Sequence, residues 1–317
     1  MKKRTVRMIL IHIISLLVLF FVIIKLAEEL IVFKQKLYDV KNYVVEKVSG
    51  EQKSVEATSE EMYPAFEEYP VLQHNDEVWY AQNRTICHAT GGIDGLSYTN
   101  SKEALELSLQ KGMDVIEVDF RFTSDGHLVC AHKWEDISTS KAAMTLEEFQ
   151  NTKICGKYTP LTAAELIGYM VEKEDLYIVI DTKESNLAEV IRELVTLSND
   201  DSEIMDRFIV QLYSLDDAKS QIREIYPFTN DNFLFTAYKS DISELDELLY
   251  KCYEQEISVI TTPYGQWDDE WIGKLNEKGF IIYVHTVNRV DHAEKAIRAG
   301  VYGIYTDELT EADLSGL

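Results

Sequence analysis

From about residue 81 to its end, the chain alternates short apolar runs with amphipathic helical stretches, and this alternation limits the possible folds most strongly. Eight runs have the length and composition of buried strands. The predicted strands are Arg84–His88, Val115–Phe120, Leu176–Lys183, Arg207–Leu212, Asn232–Thr236, Ile257–Thr261, Phe280–Thr286 and Tyr302–Thr306. Eight strand–helix units favour a closed parallel barrel over a doubly wound open sheet. No G-x-G-x-x-G follows the first run, which weighs against a dinucleotide-binding sheet.

The run TSDGHLVCAH, residues 123–132, interrupts this alternation. Its Asp125-Gly126 pair is typical of a tight turn between antiparallel strands. We therefore predict an α/β protein whose residues 81–317 form a (β/α)8 TIM barrel, with a β-hairpin inserted after the second strand.

The first 25 residues combine a basic head, MKKRTVR, with an uncharged apolar run at residues 8–24. As a helix this run would span about 25 Å, which is enough for a bilayer core, so we predict a single transmembrane anchor. The alternative is a cleaved signal peptide, although no A-x-A site follows the run. Cations lie on both sides of the run. We expect the short basic head to stay in the cytoplasm and the C-terminal domain to lie outside it, at the cell membrane.

Residues 26–48 predict a helical stalk, because apolar side chains recur there at spacings of four and three. They are Leu26, Leu30, Phe33, Leu37, Val40 and Val44. The stalk could pair two copies of the chain as a short coiled coil and so form a homodimer. It could equally lie as an amphipathic helix on the bilayer or on the domain. Residues 49–80 read as a polar linker followed by an aromatic segment that docks on the barrel.

The charge balance excludes one class of partner. Asp and Glu number 55 against 31 Lys and Arg, a net charge of −24, so the surface repels nucleic acid. An anionic substrate would need a local positive centre. The four cysteines, Cys87, Cys130, Cys155 and Cys252, contain no C-x-x-C pair, so we predict no zinc site. We expect free, buried thiols; the alternative is a disulfide, for which the sequence singles out no pair.

Polar residues stand where several predicted strands end, which is where the catalytic groups of such barrels lie. They are His88, Glu117, Asp119, Asp181, Lys183 and, at the end of the hairpin arm, His132. Residues two apart on a strand point the same way, and three carboxylates aimed at one point repel one another unless a cation lies between them. Oxygen ligands suit Ca²⁺ or Mg²⁺, and two imidazoles can accept and donate protons. With a lysine, this combination suits cleavage of a phosphodiester.

Several motifs appear in order along the chain, among them GMDVIEVDFRFTSDGHLVCAHKWE, MTLEEFQ, GKYTPLTAAELI, YIVIDTK and IIYVHTVNRVDHAEKAIRAGVYGIYTDEL. Over residues 84–310 the chain resembles the glycerophosphodiester phosphodiesterases, barrel enzymes related to the phosphatidylinositol-specific phospholipases C. The resemblance implies that a divalent ion, usually Ca²⁺ or Mg²⁺, assists hydrolysis of a glycerophosphodiester to an alcohol and glycerol phosphate. It also implies that a glycerol hydroxyl attacks first and gives a cyclic phosphate.

At matching positions, the resemblance implies a role for each candidate. His88 and His132 would form the acid/base pair. Lys183 would contact phosphate. The metal ligands would be Glu117, Asp119 and Asp181.

The chain departs from the family pattern around the substrate. Ala89 and Thr90 follow His88 where Arg and Gly are usual, so a bidentate phosphate clamp is missing. Thr99-Asn100-Ser101 replaces the usual E-N-T, Asp181 replaces a Glu, and His285 replaces a Trp. His285 could contact an altered head group or simply be a wall residue.

The chain is therefore expected to be a membrane-tethered phosphodiesterase acting on a glycerophosphodiester, a lysophospholipid or a glycerol-phosphate polymer. The alternative is a weakened barrel that binds phosphodiesters or glycans.

Overall fold

The computed structural model describes residues 63–138, 140–182, 187–216, 218–237, 242, 244–266 and 268–317. The predicted anchor, the predicted stalk and Lys183 lie outside these residues, so the structure does not test them. Within the described ranges, no helix is both long enough and apolar enough to cross a membrane.

Ten strands form one sheet that closes on itself. They are β1 (Thr85–Cys87), β2 (Val115–Phe122), β3 (Leu128–Cys130), β4 (Leu161–Thr162), β5 (Tyr177–Thr182), β6 (Phe208–Leu212), β7 (Phe233–Thr236), β8 (Val259–Pro263), β9 (Ile281–His285) and β10 (Gly303–Thr306). All except β3 and β4 run parallel, in the order β1-β2-β5-β6-β7-β8-β9-β10. The barrel closes because β1 pairs with both β2 and β10, in the registers Cys87↔Ile116 and Thr85↔Ile304. The predicted eight-stranded parallel barrel is confirmed.

The predicted hairpin is also present, between β2 and β3. The two strands are antiparallel, with Phe120 opposite Cys130. Their turn closes where the Thr123 amide donates to the His127 carbonyl at 2.9 Å, and Gly126 adopts the left-handed φ of +87° that a tight turn requires. Strand β4 then pairs with β3, a contact that two residues are too short to predict from a pattern.

Helices surround the barrel between the strands. They are α1 (Lys102–Gln110), α2 (Trp134–Ile137), α3 (Leu146–Asn151), α4 (Ala163–Glu172), α5 (Leu187–Leu197), α6 (Ser202–Met205), α7 (Ala218–Arg223), α8 (Leu245–Glu254), α9 (Asp269–Glu277), α10 (Val290–Arg298) and α11 (Glu311–Leu314). The start of α4 shows why these boundaries fall where they do. Thr162 accepts the Glu165 amide at 3.2 Å, while the Glu165 carboxylate accepts the Thr162 amide at 3.0 Å. This reciprocal pair satisfies amides that the first helical turn leaves open.

The barrel interior is closed at the end where the strands begin. Interior side chains there, such as Val115 and Val259, pack with Trp79 and Tyr80 from the segment that precedes β1. Both aromatic residues are buried, and the Trp79 indole donates to the Asp231 carbonyl at 2.7 Å. Because this end is filled with apolar and aromatic groups, the open end is the one where the strands finish.

Gly303 allows the interior to hold a large aromatic ring. A Cβ at this position would lie 2.4 Å from the Arg84 carbonyl oxygen and 2.6 Å from the Tyr283 ring, closer than atoms can approach. Tyr283 is itself fully buried in the interior cluster. The glycine therefore provides the space that this tyrosine occupies.

The four cysteines are free, as predicted, but one of them is not buried. Cys87, Cys130 and Cys252 lie in the core, whereas Cys155 is exposed. The prediction for Cys155 was wrong because the residue lies in the exposed turn between α3 and β4, where its φ is +51°.

Candidate active site

Three carboxylates meet at the open end of the barrel. Glu117 and Asp119 lie on β2 and Asp181 lies on the neighbouring β5, where Asp119 and Asp181 stand directly opposite each other. One oxygen from each carboxylate lies within 4.8 Å of the others. All three residues are at least nine-tenths buried. The predicted convergence of these carboxylates is present.

Neutral donors fix the orientation of each carboxylate. Oε2 of Glu117 accepts the Ala89 amide at 2.6 Å. Asn100 donates to Asp119 Oδ2 at 2.9 Å and accepts the Asp119 amide at 3.1 Å. Asp181 accepts the hydroxyl of Tyr213 at 2.8 Å. These donors hold the acids in place without cancelling their charge.

A buried oxygen of Glu117 is left free, among the described residues, for a cation between the three acids. This oxygen, Oε1, has no hydrogen-bond donor within the described part of the chain. Burial, and then the negative charge of Asp119, raises the pKa of Glu117 well above its usual value. Oxygen atoms from three carboxylates are ligands that Ca²⁺ and Mg²⁺ prefer, so the residues present fit such an ion.

His88 follows β1 and lies beside this acidic group. Its Nδ1 contacts Asp307 Oδ1 at 2.8 Å, and Asn288 donates to the other Asp307 oxygen at 2.6 Å. Burial alone would lower the pKa of His88. The hydrogen bond to Asp307 and the charges of Glu117, Asp307 and Asp119 outweigh burial and raise the pKa to about 9. Because Nδ1 is engaged by Asp307, Nε2 is the ring nitrogen left for a substrate.

His132 is held in a similar way from the hairpin arm. Its Nδ1 contacts Asp136 Oδ2 at 3.0 Å, one helical turn further along the chain in α2. The Arg121 guanidinium donates to the His132 carbonyl at 2.8 Å and fixes the backbone. Both imidazoles therefore have a carboxylate on one nitrogen, the arrangement that orients a histidine for proton transfer.

The ring of Tyr98 contacts both imidazoles. Its centroid lies 4.6 Å from the His88 ring, nearly perpendicular to it, and 4.3 Å from the His132 ring at an angle of 30°. Tyr98 adopts a φ of +60°. The tyrosine therefore links two histidines that come from different strands.

These groups line one cleft of about 750 Å³ at the barrel mouth. The lining residues are His88, Tyr98, Glu117, His132, Lys133, Asp181, Thr182, Gln211, Tyr213, Thr236, Pro263, His285, Thr286 and Tyr305. Asp119 lies beneath it, almost fully buried. His285 is half-buried in the wall and contacts the Thr261 hydroxyl at 2.9 Å through Nδ1.

Sequence reasoning missed several residues of this site. Asp307 directly follows the last strand, so the rule that located His88 could have found it. Asp136 lies four residues after His132, a spacing that brings two side chains together on a helix. Tyr213 directly follows β6, so the rule that located His88 could have found it as well. Tyr98 lies in a segment that carries no strand or helix pattern, and nothing in the sequence indicated its contacts.

The fold and the site together define a class of protein. A closed (β/α)8 barrel carries three converging carboxylates and two carboxylate-bound histidines at its C-terminal mouth, which is the arrangement of a hydrolase acting on phosphoric diesters. The sequence profile of the glycerophosphoryl diester phosphodiesterase family matches residues 92–311, so the chain belongs to that family and is a phosphoric diester hydrolase.

Individual relatives agree with this assignment. YhdW of Bacillus subtilis, provisionally named a glycerophosphodiester phosphodiesterase, is 25% identical over 232 residues, which cover 68% of this chain and 91% of YhdW. An Oleispira antarctica phosphodiesterase, whose structure was solved in complex with the product sn-glycerol-3-phosphate, is 16% identical. It superposes with a TM-score of 0.59, covering 74% of this chain and 98% of that one. A Parabacteroides distasonis glycerophosphodiester phosphodiesterase is 20% identical, with a TM-score of 0.57 and coverage of 74% and 96%. At these identities, the two solved structures show the shared barrel fold.

Proposed function

We propose that the chain hydrolyses a glycerophosphodiester to an alcohol and glycerol phosphate, with the help of Ca²⁺ or Mg²⁺ and by histidine acid/base catalysis. The observation that carries this proposal is the placement of three buried carboxylates and two carboxylate-bound histidines in one cleft. The product held by the Oleispira antarctica relative, sn-glycerol-3-phosphate, supports the same product here.

The side chains of the site have distinct parts in this proposal. The ligands of the ion are Glu117, Asp119 and Asp181, and the bound ion would supply positive charge to the phosphoryl oxygens. His88 and His132 act through Nε2, because Nδ1 of each contacts a carboxylate. Lys183, predicted to contact phosphate, would add a further cation.

Four proton transfers, two in each of two steps, complete the reaction. One histidine takes the proton of the glycerol hydroxyl beside the phosphate, so that its oxygen attacks phosphorus. The other gives a proton to the alkoxide that leaves, which yields a free alcohol and a cyclic phosphate. A water molecule then loses a proton to the second histidine and opens the ring, while the first returns its proton to the glycerol oxygen.

The N-terminal predictions belong to this proposal as well. Residues 8–24 anchor the protein in the cell membrane as a single span, residues 26–48 form the stalk that can pair two copies, and the barrel faces away from the cytoplasm. The uncharged run behind a short basic head supports the anchor. Membrane fractionation and protease digestion of intact cells test both points, and a barrel protected from external protease in intact cells contradicts the proposed side.

Hydrolysis assays on the full chain in detergent test the chemistry. Bis(p-nitrophenyl) phosphate and glycerophosphocholine are supplied with EDTA, Ca²⁺ or Mg²⁺, and we expect activity only with an ion. His88→Ala is expected to lower kcat by roughly 10²- to 10⁴-fold, the usual effect of losing a general acid or base. The matched control is His127→Ala, because His127 is exposed in the hairpin turn.

Two results contradict the proposal. Equal turnover by the His88→Ala and His127→Ala variants would show that His88 takes no part in catalysis. A wild-type chain that binds diesters tightly but cleaves none of them would favour the binding module.

A further inference from the structure

The acidic character of the cleft creates a problem for its substrate. A phosphodiester is an anion, and the cleft that receives it is lined by Glu117 and Asp181, with Asp119 beneath them. The whole chain carries a net charge of −24. A divalent ion at the carboxylates offsets part of this charge, but an approaching anion still needs positive groups at the rim.

Lys133 supplies such a group. It directly follows His132, its side chain is exposed, and it lines the same cleft as both histidines. It is the one lysine or arginine among the lining residues in the described part of the chain. The Lys133 carbonyl accepts the Asp136 amide at 3.1 Å, so the backbone is fixed where the side chain departs.

The unpaired state of Lys133 is unusual in this acidic chain. Seven other described lysines contact a carboxylate within 4.0 Å; they are Lys102, Lys141, Lys157, Lys173, Lys219, Lys251 and Lys274. The Lys133 ammonium has no hydrogen-bond or ion-pair partner within the described ranges. An exposed ammonium in the same cleft as Glu117, Asp181 and His132 is therefore available to an anion that enters it.

We propose that Lys133 is a substrate-binding residue whose ammonium contacts an anionic oxygen of the diester, an inference that rests on the proposed function. The oxygen could belong to the scissile phosphoryl group or to a second anionic group on the leaving alcohol. Lys133 contributes to binding and not to the chemical step, because a lysine at the rim contacts a charge that the substrate carries both before the reaction and in the transition state. An exposed side chain can be changed there without disturbing the core.

The test compares Lys133→Ala and Lys133→Arg with Lys141→Ala in the full chain loaded with its ion. Lys141 is the matched control, because it is 87% exposed, contacts Glu135 at 3.8 Å and does not line the cleft. The substrates are glycerophosphoglycerol, whose leaving alcohol is neutral, and glycerophosphoinositol 4-phosphate, whose leaving alcohol is anionic.

We expect Lys133→Ala to raise KM roughly 5- to 20-fold with little change in kcat, while Lys133→Arg stays near wild type. KM should also rise with salt less steeply in Lys133→Ala than in wild type. A change with both substrates assigns the contact to the scissile phosphoryl oxygens, and a change with the anionic alcohol alone assigns it to the second group. Equal KM values for the Lys133→Ala and Lys141→Ala variants on both substrates overturn the inference.

Calorimetric titration with sn-glycerol-3-phosphate separates this inference from the proposed function. A chain that cleaves no diester but binds this phosphate more weakly after Lys133→Ala defeats the proposed reaction and keeps the role of Lys133. A chain that cleaves diesters equally well with and without the Lys133 side chain keeps the proposed reaction and defeats the role of Lys133. A chain that neither cleaves diesters nor binds sn-glycerol-3-phosphate contradicts both the proposed function and the role of Lys133.

Discussion

Replacing Glu117 with glutamine removes one negative charge from the three buried carboxylates and nearly keeps the size of the side chain. The amide oxygen can still accept the Ala89 amide, as Oε2 of the glutamate does at 2.6 Å. The amide nitrogen can donate to Asp119 or Asp181. In the absence of metal, this change should therefore stabilise the protein, even though it alters the centre of the site.

The size of the effect follows from the distances. Two unit charges 4.8 Å apart, the outer limit for the three carboxylates, repel each other by roughly 3.5 kcal/mol at an effective dielectric constant of about 20. Protonation and nearby donors already relieve much of this repulsion, so we expect a gain of about 2 kcal/mol. For a domain of this size, that gain corresponds to a rise in Tm of roughly 4–8 °C.

The pH dependence of folding stability gives the direction in which the effect of Glu117→Gln changes with pH. The pKa of Glu117 is raised in the folded state, so above its ordinary value of about 4.3 the folded protein holds a proton that the unfolded chain has lost. Stability of the metal-free wild type therefore falls as the pH rises toward that raised pKa. Glutamine does not titrate, so the advantage of the variant in EDTA should grow between pH 5 and pH 7.

Thermal melting in EDTA and in increasing Ca²⁺ or Mg²⁺ measures this effect. Wild type should gain Tm with the ion and overtake the variant, which has lost one ligand. Glu77→Gln is the control, since Glu77 is exposed and outside the site. A Glu117→Gln variant that melts lower than wild type in EDTA and keeps the full response to the ion would refute the reasoning.

Three further predictions follow from the same structure. Asp307→Asn should lower kcat by roughly 100-fold and shift the pH profile of kcat/KM, because His88 loses the charge that holds its proton; an unchanged profile would exclude this role. Tyr98→Ala should lower kcat roughly tenfold by freeing both imidazoles, whereas Tyr98→Phe should restore most of the rate, and steady-state kinetics of the two variants decide the point. Gly303→Ala should cost about 2 kcal/mol and lower Tm by roughly 4–8 °C, because the added Cβ meets atoms within 2.6 Å, while Gly273→Ala, where nothing lies within 4 Å, should not lower Tm.

The strands were predictable because a buried parallel strand is a continuous apolar run, and that property is local in sequence. The run at Val115–Phe120 corresponds to β2, which extends to Phe122, and every other predicted barrel strand overlaps the observed one. The convergence of the acids was predictable for the same reason, since a period of two and a parallel neighbour place Glu117, Asp119 and Asp181 at one mouth.

The partners of the catalytic candidates were not predictable, because they depend on contacts between distant segments. His88 contacts Asp307 from 219 residues further along the chain. Tyr98 reaches both histidines from a segment with no regular structure, and its position depends on a backbone of positive φ that a tyrosine rarely adopts. Such contacts follow from closure of the barrel and from loop geometry, neither of which leaves a periodic signal.

The way the acids are held argues for a role beyond stability. Ala89, Asn100 and Tyr213 each donate one neutral hydrogen bond to a carboxylate of the cluster, which fixes its direction but leaves its charge in place. Glu117 also keeps one oxygen without a described donor, at a position where burial makes an uncompensated charge costly. A protein that needed these groups only for folding would be more stable with apolar side chains of similar size. Charge at the open end of the barrel, in the same cleft as two oriented imidazoles, is understandable if a cation and an anionic substrate complete the arrangement.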